Sequence, residues 1–428
     1  MKRLIIACSI ALILPACNNK KPSTSTQGFV QVQNGRLAID EKPYYFIGTN
    51  FWFGAILGSE GQGGNRERLT KELDFMKSIG INNLRVLIGA DGYPGQEVKV
   101  MPTLQLEPGV YNDTIFDGLD YLMAELGKRS MYAVLYINNS WEWSGGYGQY
   151  LNWAGKGEVP KEGVRDWIKF QAHVAQYANC DECKILFFNH IKHILGRTNP
   201  YTGLKYTDDP VLMSWQVGNE PRAFSTEAKD AFAQWLAETT ALIRSLDAKH
   251  LISLGNEGAM GCENDLELYE RIHADLNVDY ITIHIWPKNW SWIDTANIPG
   301  SLGIAIEKTN AYLNAHLEIA KKLNKPLVIE EFGFPRDHHL YSRSDPSKAR
   351  DQYYENIFRQ VVASSDHKGL LAGCNFWAWG GFGQPAHTYW KPWDDYVGDP
   401  SQEEQGLNSV FDTDSTIETI RTFTAELK

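Results

Sequence analysis

Met213-Ser-Trp-Gln-Val-Gly-Asn-Glu-Pro-Arg222 begins as an apolar run and ends abruptly in Asn219-Glu220-Pro221. A second apolar run further along the chain, Pro326-Leu-Val-Ile-Glu-Glu-Phe-Gly333, also ends in glutamate. Short apolar runs bounded by polar residues are typical of buried β-strands. Each of the two runs therefore predicts a buried strand that carries a glutamate at its carboxyl end.

Runs of this kind recur along the chain and alternate with amphipathic helical patterns. The predicted strands are eight in number, at residues 44–50, 83–89, 132–138, 211–218, 251–255, 280–285, 327–332 and 374–379. Predicted helices between them cover residues 66–78, 115–128, 226–245, 303–322 and 350–364. This alternation predicts an α/β protein with the (β/α)8 TIM-barrel fold. A doubly wound open sheet is the alternative, and the lack of a glycine-rich phosphate turn after the first strand disfavours it.

Two segments before the first barrel strand have separate predicted roles. Residues 29–40 alternate apolar and polar around Asn34-Gly35, which predicts a β-hairpin that caps the bottom of the barrel. The first sixteen residues have a basic start, an apolar stretch over residues 4–14 and a lipobox-like Leu14-Pro-Ala-Cys17. That stretch is shorter than the ~20 residues of a membrane-spanning helix, so it predicts a cleaved signal.

Cys17 then becomes the lipidated first residue of the mature protein, and a plain secretory signal is the disfavoured alternative. The domain prediction is a lipoprotein signal peptide at residues 1–16, a flexible polar tether at 17–28 and one catalytic domain at 29–428. We expect an extracytoplasmic monomer that contacts a bacterial membrane only through its acyl anchor.

Composition restricts the partners and the redox chemistry. A formal net charge of -11 disfavours nucleic acid as a partner. The 14 tryptophans suit either the core or platforms for sugar rings. Cys180-Asp-Glu-Cys183 has no second CxxC to complete a metal site, which favours a local disulfide or two buried thiols.

Polar and aromatic side chains are concentrated where the predicted strands end. Active sites of (β/α)8 barrels form at those ends. A pocket built from amide, carboxyl and aromatic groups suits a neutral, hydroxyl-rich ligand, and a carboxyl pair can cleave a glycosidic bond. The residues at these positions are Asn50, Trp52, Arg85, Asn138, Asn139, Asn219, Glu220, Asn256, Glu257, His284, Trp286, Glu330, Glu331 and Trp377.

Several glutamates compete for the two catalytic positions. Glu257 lies in Gly255-Asn-Glu-Gly258, which imitates Gly218-Asn-Glu-Pro221, but its strand is the immediate neighbour of the Glu220 strand. A sugar held between two carboxyls needs nearly opposite walls, such as those formed by the fourth and seventh strands. Glu330 and Glu331 are consecutive, so we expect one to point into the barrel mouth and the other toward the helices. Spacing alone does not say which.

These motifs together resemble glycoside hydrolase family 5 of the retaining clan, and more narrowly its β-mannanase branch. The resemblance runs from about residue 29 to the end and rests on 215–222, 326–333, Arg85 and Phe376-Trp377. The branch is indicated by Gly48-Thr-Asn-Phe-Trp52, the segment 197–203 and the tail 398–411. It implies that Glu220 is the acid/base and Glu331 the nucleophile.

The resemblance also implies the surrounding contacts and the ligand. We expect Arg85 to keep Glu331 ionised and Asn219 to bind the sugar 2-hydroxyl. His284-Ile-Trp286-Pro is similar to the His-x-Tyr-Pro of the family, with tryptophan in place of tyrosine. The predicted ligand is β-mannan or manno-oligosaccharide, without cofactor or metal. The predicted sugar-contacting residues are Trp52, Arg85, Asn138, Asn219, His284, Trp286 and Trp377.

Other functions remain open on the sequence. A β-1,4-glucanase and an exo-acting β-mannosidase or mannobiohydrolase use the same two glutamates. A noncatalytic glycan-binding lipoprotein shares the tryptophans, but it has no need of a carboxyl pair. The long loops at residues 53–64 and 141–157 could close one end of a cleft or form the walls of an open groove.

Overall fold

A computed structural model describes residues 27–92, 100–160 and 166–427. The predicted leader, Cys17 and the tether up to residue 26 lie outside the described residues. A sheet of eight parallel strands forms the centre of the fold. Its barrel strands are β4 (Phe46–Asn50), β5 (Asn83–Leu87), β8 (Tyr132–Tyr136), β9 (Leu212–Gln216), β10 (Leu251–Ser253), β11 (Ile281–Ile285), β12 (Leu327–Phe332) and β13 (Leu371–Phe376).

The spatial order of these strands is β10-β9-β8-β5-β4-β13-β12-β11, the order of a ring. The two end strands are joined by the hydrogen bonds from Asp279 N to Ile252 O (2.9 Å) and from His284 N to Glu257 O (3.1 Å). The sheet is therefore a nearly closed barrel, and the (β/α)8 prediction is confirmed. Among the described residues, none of the helices has the length and apolar character of a membrane span.

The helices surround the barrel and bury one face each against it. They are α1 (Gly54–Leu57), α2 (Arg66–Ser78), α3 (Asp113–Lys128), α4 (Gly146–Trp153), α5 (Trp167–Val174), α6 (Asp181–Leu195), α7 (Lys229–Leu246), α8 (Leu266–His273), α9 (Ile298–Leu323), α10 (Lys348–Asp366) and α11 (Thr416–Glu426). The predicted helix at 66–78 has the observed bounds. The predicted helix at 303–322 begins earlier, at Ile298, because the Asn297 side chain accepts a hydrogen bond from Gly300 N and caps it.

The eighth strand was predicted too far along the chain. It spans Leu371–Phe376, and Trp379 belongs instead to β14 (Trp379–Gly381), which pairs with β15 (Val410–Phe411). The true strand starts with Leu371-Ala-Gly373, whose small residues give little apolar signal. Gly373 pairs there with Phe46 of the first barrel strand, where an added Cβ would lie 2.7 Å from the Phe46 ring and carbonyl oxygen.

The predicted hairpin caps the end of the barrel where the strands start, opposite their carboxyl ends. Strands β1 (Val30–Gln33) and β2 (Arg36–Ile39) pair antiparallel, and β3 (Lys42–Pro43) extends them. Asn34 and Gly35 form the turn with φ of 53° and 75°. Val30 and Leu37 pack in one cluster with inward-facing residues near the strand starts, including Phe46. This cluster closes the bottom of the barrel.

Cys180 and Cys183 form a disulfide at the start of α6. Cys262 and Cys374 are free and buried. The CxxC segment is thus a local crosslink on the outside of the barrel, and it takes no part in the strand-end cavity described below.

Candidate active site

A cavity of about 650 Å³ opens at the carboxyl ends of the barrel strands. Segments that follow different strands contribute to its wall, as expected for an active site of this fold. The aromatic lining residues are Trp141, Trp143, Trp167, Trp286, Trp290 and Trp377, and the carboxyl groups are those of Glu142, Glu220, Glu257, Glu331 and Glu403.

Glu220 is held in an unusual backbone conformation just after β9. Its φ is 51°, in the left-handed region that non-glycine residues rarely adopt. The strain is offset by hydrogen bonds from Glu220 N to Gly255 O (3.0 Å) and from Ser140 Oγ to Glu220 O (2.5 Å). The apolar strand and the following Pro221 thus direct the carboxyl into the cavity.

Glu331 reaches the same cavity from β12 because that strand carries a β-bulge. Ile283 pairs with Ile329, but the next residue, His284, pairs with Glu331, so Glu330 is the extra residue. The bulge turns both glutamates inward. The expectation that one of them points toward the helices is therefore wrong.

Arg85, one of the predicted sugar contacts, instead lies beneath Glu331, where it is fully buried and outside the cavity lining. Its Nη1 contacts Glu331 Oε1 in an ion pair and also donates to Asn50 Oδ1 (3.1 Å). Its Nη2 donates to Asn219 Oδ1 (2.9 Å) and its Nε to Gln216 Oε1 (2.8 Å). The guanidinium fork therefore fixes the nucleophile candidate and the Asn219 amide relative to each other.

His284 bridges the two carboxyls. Its Nδ1 lies 2.8 Å from Glu220 Oε1 and 3.3 Å from Glu331 Oε2. Burial opposes its protonation, but Glu331 and Glu220 outweigh burial and raise the pKa of His284 to about 9. Burial would raise the pKa of Glu220, yet the hydrogen bond and charge of His284, with help from Arg222 and Trp141, lower it below the usual value. One proton is thus held on the short contact between His284 and Glu220.

His284 was expected to contact the sugar, but the structure does not place it in the cavity lining. His284 is fully buried, with the cavity on the other side of the glutamates that it contacts. Trp286, two residues on, does line the cavity, with its ring 6.1 Å from that of Trp377. The contact to Glu331 from this strand comes from His284.

Two further predicted sugar contacts prove to be structural positions. Trp52 is 1% exposed, donates from Nε1 to Gly398 O (2.8 Å) and packs edge-on behind Trp143. Asn138 is 2% exposed; its amide donates to Tyr177 Oη (3.1 Å), and its oxygen accepts from Asn139 N (2.7 Å). Both residues support the cavity wall from behind. Asn219 and Trp377 line the cavity.

Sequence reasoning missed three groups at the site. Trp141 donates from Nε1 to Glu220 Oε2. Arg222 pairs with Glu257 and lies over the Trp141 ring, 5.3 Å from its centroid. Burial raises the pKa of Glu257 to about 7 against the lowering effect of Arg222. The position of Arg222 two residues after Glu220 was the available signal, and its ion pair with Glu257 is distinct from the contacts that join Glu220, His284 and Glu331.

The third missed group comes from the segment after the eighth strand, which adds Pro400, Gln402 and Glu403 to the cavity wall. Glu403 Oε2 and Gln402 Oε1 are buried, and neither has a hydrogen-bond partner within the described part of the chain. Burial, followed by the charge of Asp399, raises the pKa of Glu403 to about 8.

Within the described residues, Glu220, His284 and Glu331 form a group whose potential metal-ligating atoms lie within 4.8 Å of one another. Arg85 and protonated His284 already place positive charge against both carboxylates, and that charge opposes the binding of a cation. The arrangement is instead that of a carboxyl pair whose protonation is controlled by its neighbours.

A (β/α)8 barrel with two glutamates meeting at its mouth is the arrangement found in glycoside hydrolases of the two-carboxylate type. Residues 27–428 match the family model described as GH family 5 beta-mannosidase-like, and the chain belongs to this family. Curated relatives include mannan endo-1,4-beta-mannosidase 1 of Oryza sativa subsp. japonica, which is 28% identical over 389 residues, covering 87% of this chain and 83% of the relative. Mannan endo-1,4-beta-mannosidase 7 of Arabidopsis thaliana is 28% identical over 367 residues, covering 82% and 77%.

Solved structures extend the comparison. The glycoside hydrolase family 5 mannosidase of Rhizomucor miehei superimposes with a TM-score of 0.86 at 34% identity, over 94% of this chain and 97% of that one. A variant of that enzyme was solved in complex with mannosyl-fructose. The endo-beta-1,4-mannanase of Thermotoga petrophila shares the fold, with a TM-score of 0.65 at 21% identity, over 90% of this chain and 77% of that one.

Proposed function

We propose that this glycoside hydrolase cleaves β-1,4-mannosidic bonds with retention of anomeric configuration. The observation that carries the proposal is the meeting of Glu220 and Glu331, which have carboxylate oxygens within 4.8 Å of each other. Retaining enzymes hold their carboxyls roughly 5 to 5.5 Å apart, whereas inverting enzymes leave room for a water at roughly 6.5 to 9.5 Å. The mannanase and mannosidase relatives support the choice of mannoside over glucoside.

The chemistry divides between the two glutamates. Glu331, ionised against Arg85, attacks the anomeric carbon and forms a glycosyl-enzyme while the glycosidic bond breaks. Glu220 gives a proton to the departing sugar oxygen, and it receives that proton from His284 Nδ1 across their 2.8 Å contact. In the second half of the reaction Glu220 takes a proton from the attacking water, which releases the sugar and frees Glu331.

Neighbouring groups hold the sugar in place for both steps. The Asn219 side chain, oriented by Arg85, binds the 2-hydroxyl beside the cleaved bond, a contact that strengthens in the transition state. Trp377 and Trp286 present indole faces and edges to the cavity, which suit the apolar faces of a pyranose ring.

The activity is tested by incubating the purified protein with galactomannan, mixed-linkage β-glucan and cellulose and measuring released reducing sugar. Release from the mannan alone is expected. Release from β-glucan alone would contradict the mannoside assignment, and no release from any substrate would contradict an enzymatic role. Proton NMR of the first product should show the β-anomer, since retention preserves the configuration.

Catalytic roles are tested with activated aryl mannosides. Glu331→Ala should be inactive and regain turnover with azide, which attacks the anomeric carbon from the position of the lost carboxylate, opposite the leaving group. Glu220→Ala should retain cleavage of substrates whose leaving group needs no proton and lose cleavage of mannobiose. Glu257→Ala is the matched control: as an ion-pair partner of Arg222, it should show neither pattern.

Cleavage from a chain end is a second mode supported by one observation. Pro400, Gln402 and Glu403, from the segment after the eighth strand, form part of the cavity wall and could close one end of the substrate site. Time courses on mannohexaose decide the mode. Mannose as the first product supports action from an end, whereas early mixtures of mannobiose and mannotriose support internal cleavage.

We also propose that residues 17–28 tether the catalytic domain, residues 29–428, to a membrane through a lipid on Cys17. The support is the lipobox-like Leu14-Pro-Ala-Cys17 and the polar composition that follows it. Metabolic labelling with radioactive palmitate should mark the native protein and not Cys17→Ser. An unlabelled native protein released into the medium would contradict the anchor.

A further inference from the structure

Trp393 is an exposed tryptophan on the mouth side of the barrel that the proposed reaction does not use. It is 80% exposed, and Tyr389 in the same loop is 50% exposed. The loop, residues 384–396, follows the carboxyl end of the eighth barrel strand and leads into the cavity-wall segment at Pro400. A single exposed ring is common on protein surfaces, so the case for a binding site depends on how this one is held.

The backbone holds Trp393 at a position that usually belongs to glycine. Asp394 N donates to Lys391 O (3.0 Å) and closes the turn Lys391-Pro-Trp-Asp394. Proline at the second position and a φ of 83° at the third, Trp393, are the features of a type II turn. That third position favours glycine because a Cβ is strained there. The chain therefore keeps a large ring where a side chain is disfavoured, and such strain is typical of functional positions.

Hydrogen bonds and stacking hold the turn in a fixed shape. The Asp394 carboxylate contacts His387 Nδ1 (2.8 Å). Trp390 donates from Nε1 to Asp394 O (3.2 Å) and stacks on the buried Tyr396, with the ring centroids 4.6 Å apart. Within the described part of the chain, the Trp393 indole itself has no ring partner and no hydrogen bond. A ring presented by a rigid turn loses little conformational freedom when a ligand binds.

The loop is joined to the wall of the catalytic cavity. The Tyr389 hydroxyl donates to Glu404 Oε1 (3.2 Å). Glu404 follows directly after Glu403, which lines the cavity. The rings of Tyr389 and Trp393 therefore continue the wall outside the cavity, and a polymer that leaves the cavity over this wall reaches them.

We propose that Trp393, with Tyr389, is a platform that binds a pyranose ring of a β-mannan chain extending out of the cavity. The proposal rests on the proposed function, which supplies the polymer. An indole offers a broad apolar face at low entropic cost, which suits the C–H face of a sugar. Asp394 and Asp395 outnumber Lys391 around the ring, so an anionic polymer or lipid surface is disfavoured. The amino-terminal hairpin, where a membrane tether would attach, lies at the opposite end of the barrel.

Depletion of the protein from solution by insoluble β-mannan tests the platform. Binding is measured in the Glu331→Gln background, which leaves the polymer intact. Adding Trp393→Gly removes the ring and suits the turn, so the protein should stay folded while its affinity for mannan falls roughly 3- to 10-fold, the effect of one stacked ring. Trp393→Tyr keeps an aromatic face and should bind nearly as the parent does. Leu276→Ala is the matched control, because Leu276 is 96% exposed and precedes β11 at the closed end of the barrel.

Kinetics separate the platform from the catalytic site. In the otherwise native enzyme, Trp393→Gly should lower kcat/KM on galactomannan and leave kcat/KM on mannobiose unchanged, because mannobiose is too short to leave the cavity. Unchanged mannan affinity, or an equal loss of kcat/KM on both substrates, would overturn the proposal. Binding to anionic phospholipid vesicles that Trp393→Gly abolishes, with mannan affinity kept, would overturn it in favour of a membrane contact.

Failure of the platform and failure of the proposed function give different results. Cleavage of mannobiose by a protein with no affinity for insoluble mannan would overturn the platform alone. Mannan binding that depends on Trp393, in a protein that releases no sugar from any mannoside, would support the platform and contradict only the proposed function.

Discussion

The pKa of His284 predicts how the stability of the protein depends on pH. The two glutamates raise this pKa to about 9 in the folded protein, compared with 6.5 for an ordinary histidine. The folded state therefore binds the proton more tightly than the unfolded state. The resulting stabilisation is fully present below pH ~6.5 and is lost as the pH rises through about 9.

The magnitude of this stabilisation follows from how far the pKa of His284 is raised. A difference of about 2.5 pKa units corresponds to about 3 kcal/mol of unfolding free energy, lost at up to ~1.4 kcal/mol per pH unit inside that window. His284 is fully buried, so solvent screens the interaction little. The free energy of unfolding is measured by urea titration at intervals across the window, in the native protein and in His284→Gln.

We expect the native protein to lose about 3 kcal/mol more than His284→Gln across the window. His273→Gln is the matched control, because burial lowers the pKa of His273 to about 3 and this residue has no proton to lose there. Equal slopes for the native protein and His284→Gln, or a native stability that rises with pH, would refute the assignment of the shared proton to His284.

Three further predictions test individual side chains. Trp377→Phe should lower kcat/KM because Trp377 lines the cavity, and it should cost less unfolding free energy than Trp52→Ala, which should cost roughly 3 to 5 kcal/mol. Urea titration and kinetics on mannobiose separate the two effects, and a larger loss of kcat/KM in Trp52→Ala that is unexplained by unfolding would contradict this assignment. Arg85→Lys should lower kcat by roughly 100-fold or more, since an ammonium cannot hold Glu331, Asn219 and Gln216 together; activity within a few-fold of native would count against that role. Reduction of the Cys180–Cys183 bond should cost no more than about 2 kcal/mol, because the disulfide closes a loop with a sequence separation of only 3. Thiol titration of the unfolded protein, with Cys262 and Cys374 as internal standards, should count two additional thiols after reduction.

The carboxyl ends of the two strands that carry Glu220 and Glu331 were the part of the site that the sequence predicted best. The run before Glu220 and the run before Glu331 are apolar and short, and the order of strands in a barrel places both ends at one mouth. Helices α6 (Asp181–Leu195) and α8 (Leu266–His273) were not among the predicted helices. The local sequence pattern identified the strands, and the closed strand order of the barrel determined which strands are neighbours.

Tertiary packing decided what the sequence could not. Trp52 and Trp377 both follow barrel strands, yet one lies behind Trp143 and the other faces the cavity. Strict alternation along β12 predicted opposite faces for Glu330 and Glu331, and a single extra residue in the pairing with β11 reversed that result. The direction of a side chain depends in each case on a neighbour distant in sequence.

The hairpin at the bottom of the barrel determines how the enzyme is presented on any support. Gln27 donates to Met131 O (3.0 Å), immediately before the start of the third barrel strand, so the chain enters the domain at the closed end. Whatever precedes Gln27, whether an acyl chain, an affinity tag or a linker to a bead, attaches on the side away from the catalytic mouth. Immobilisation through the amino-terminal side should therefore leave the cavity open to long polysaccharides, while coupling through lysines near the mouth, such as Lys288, would obstruct it.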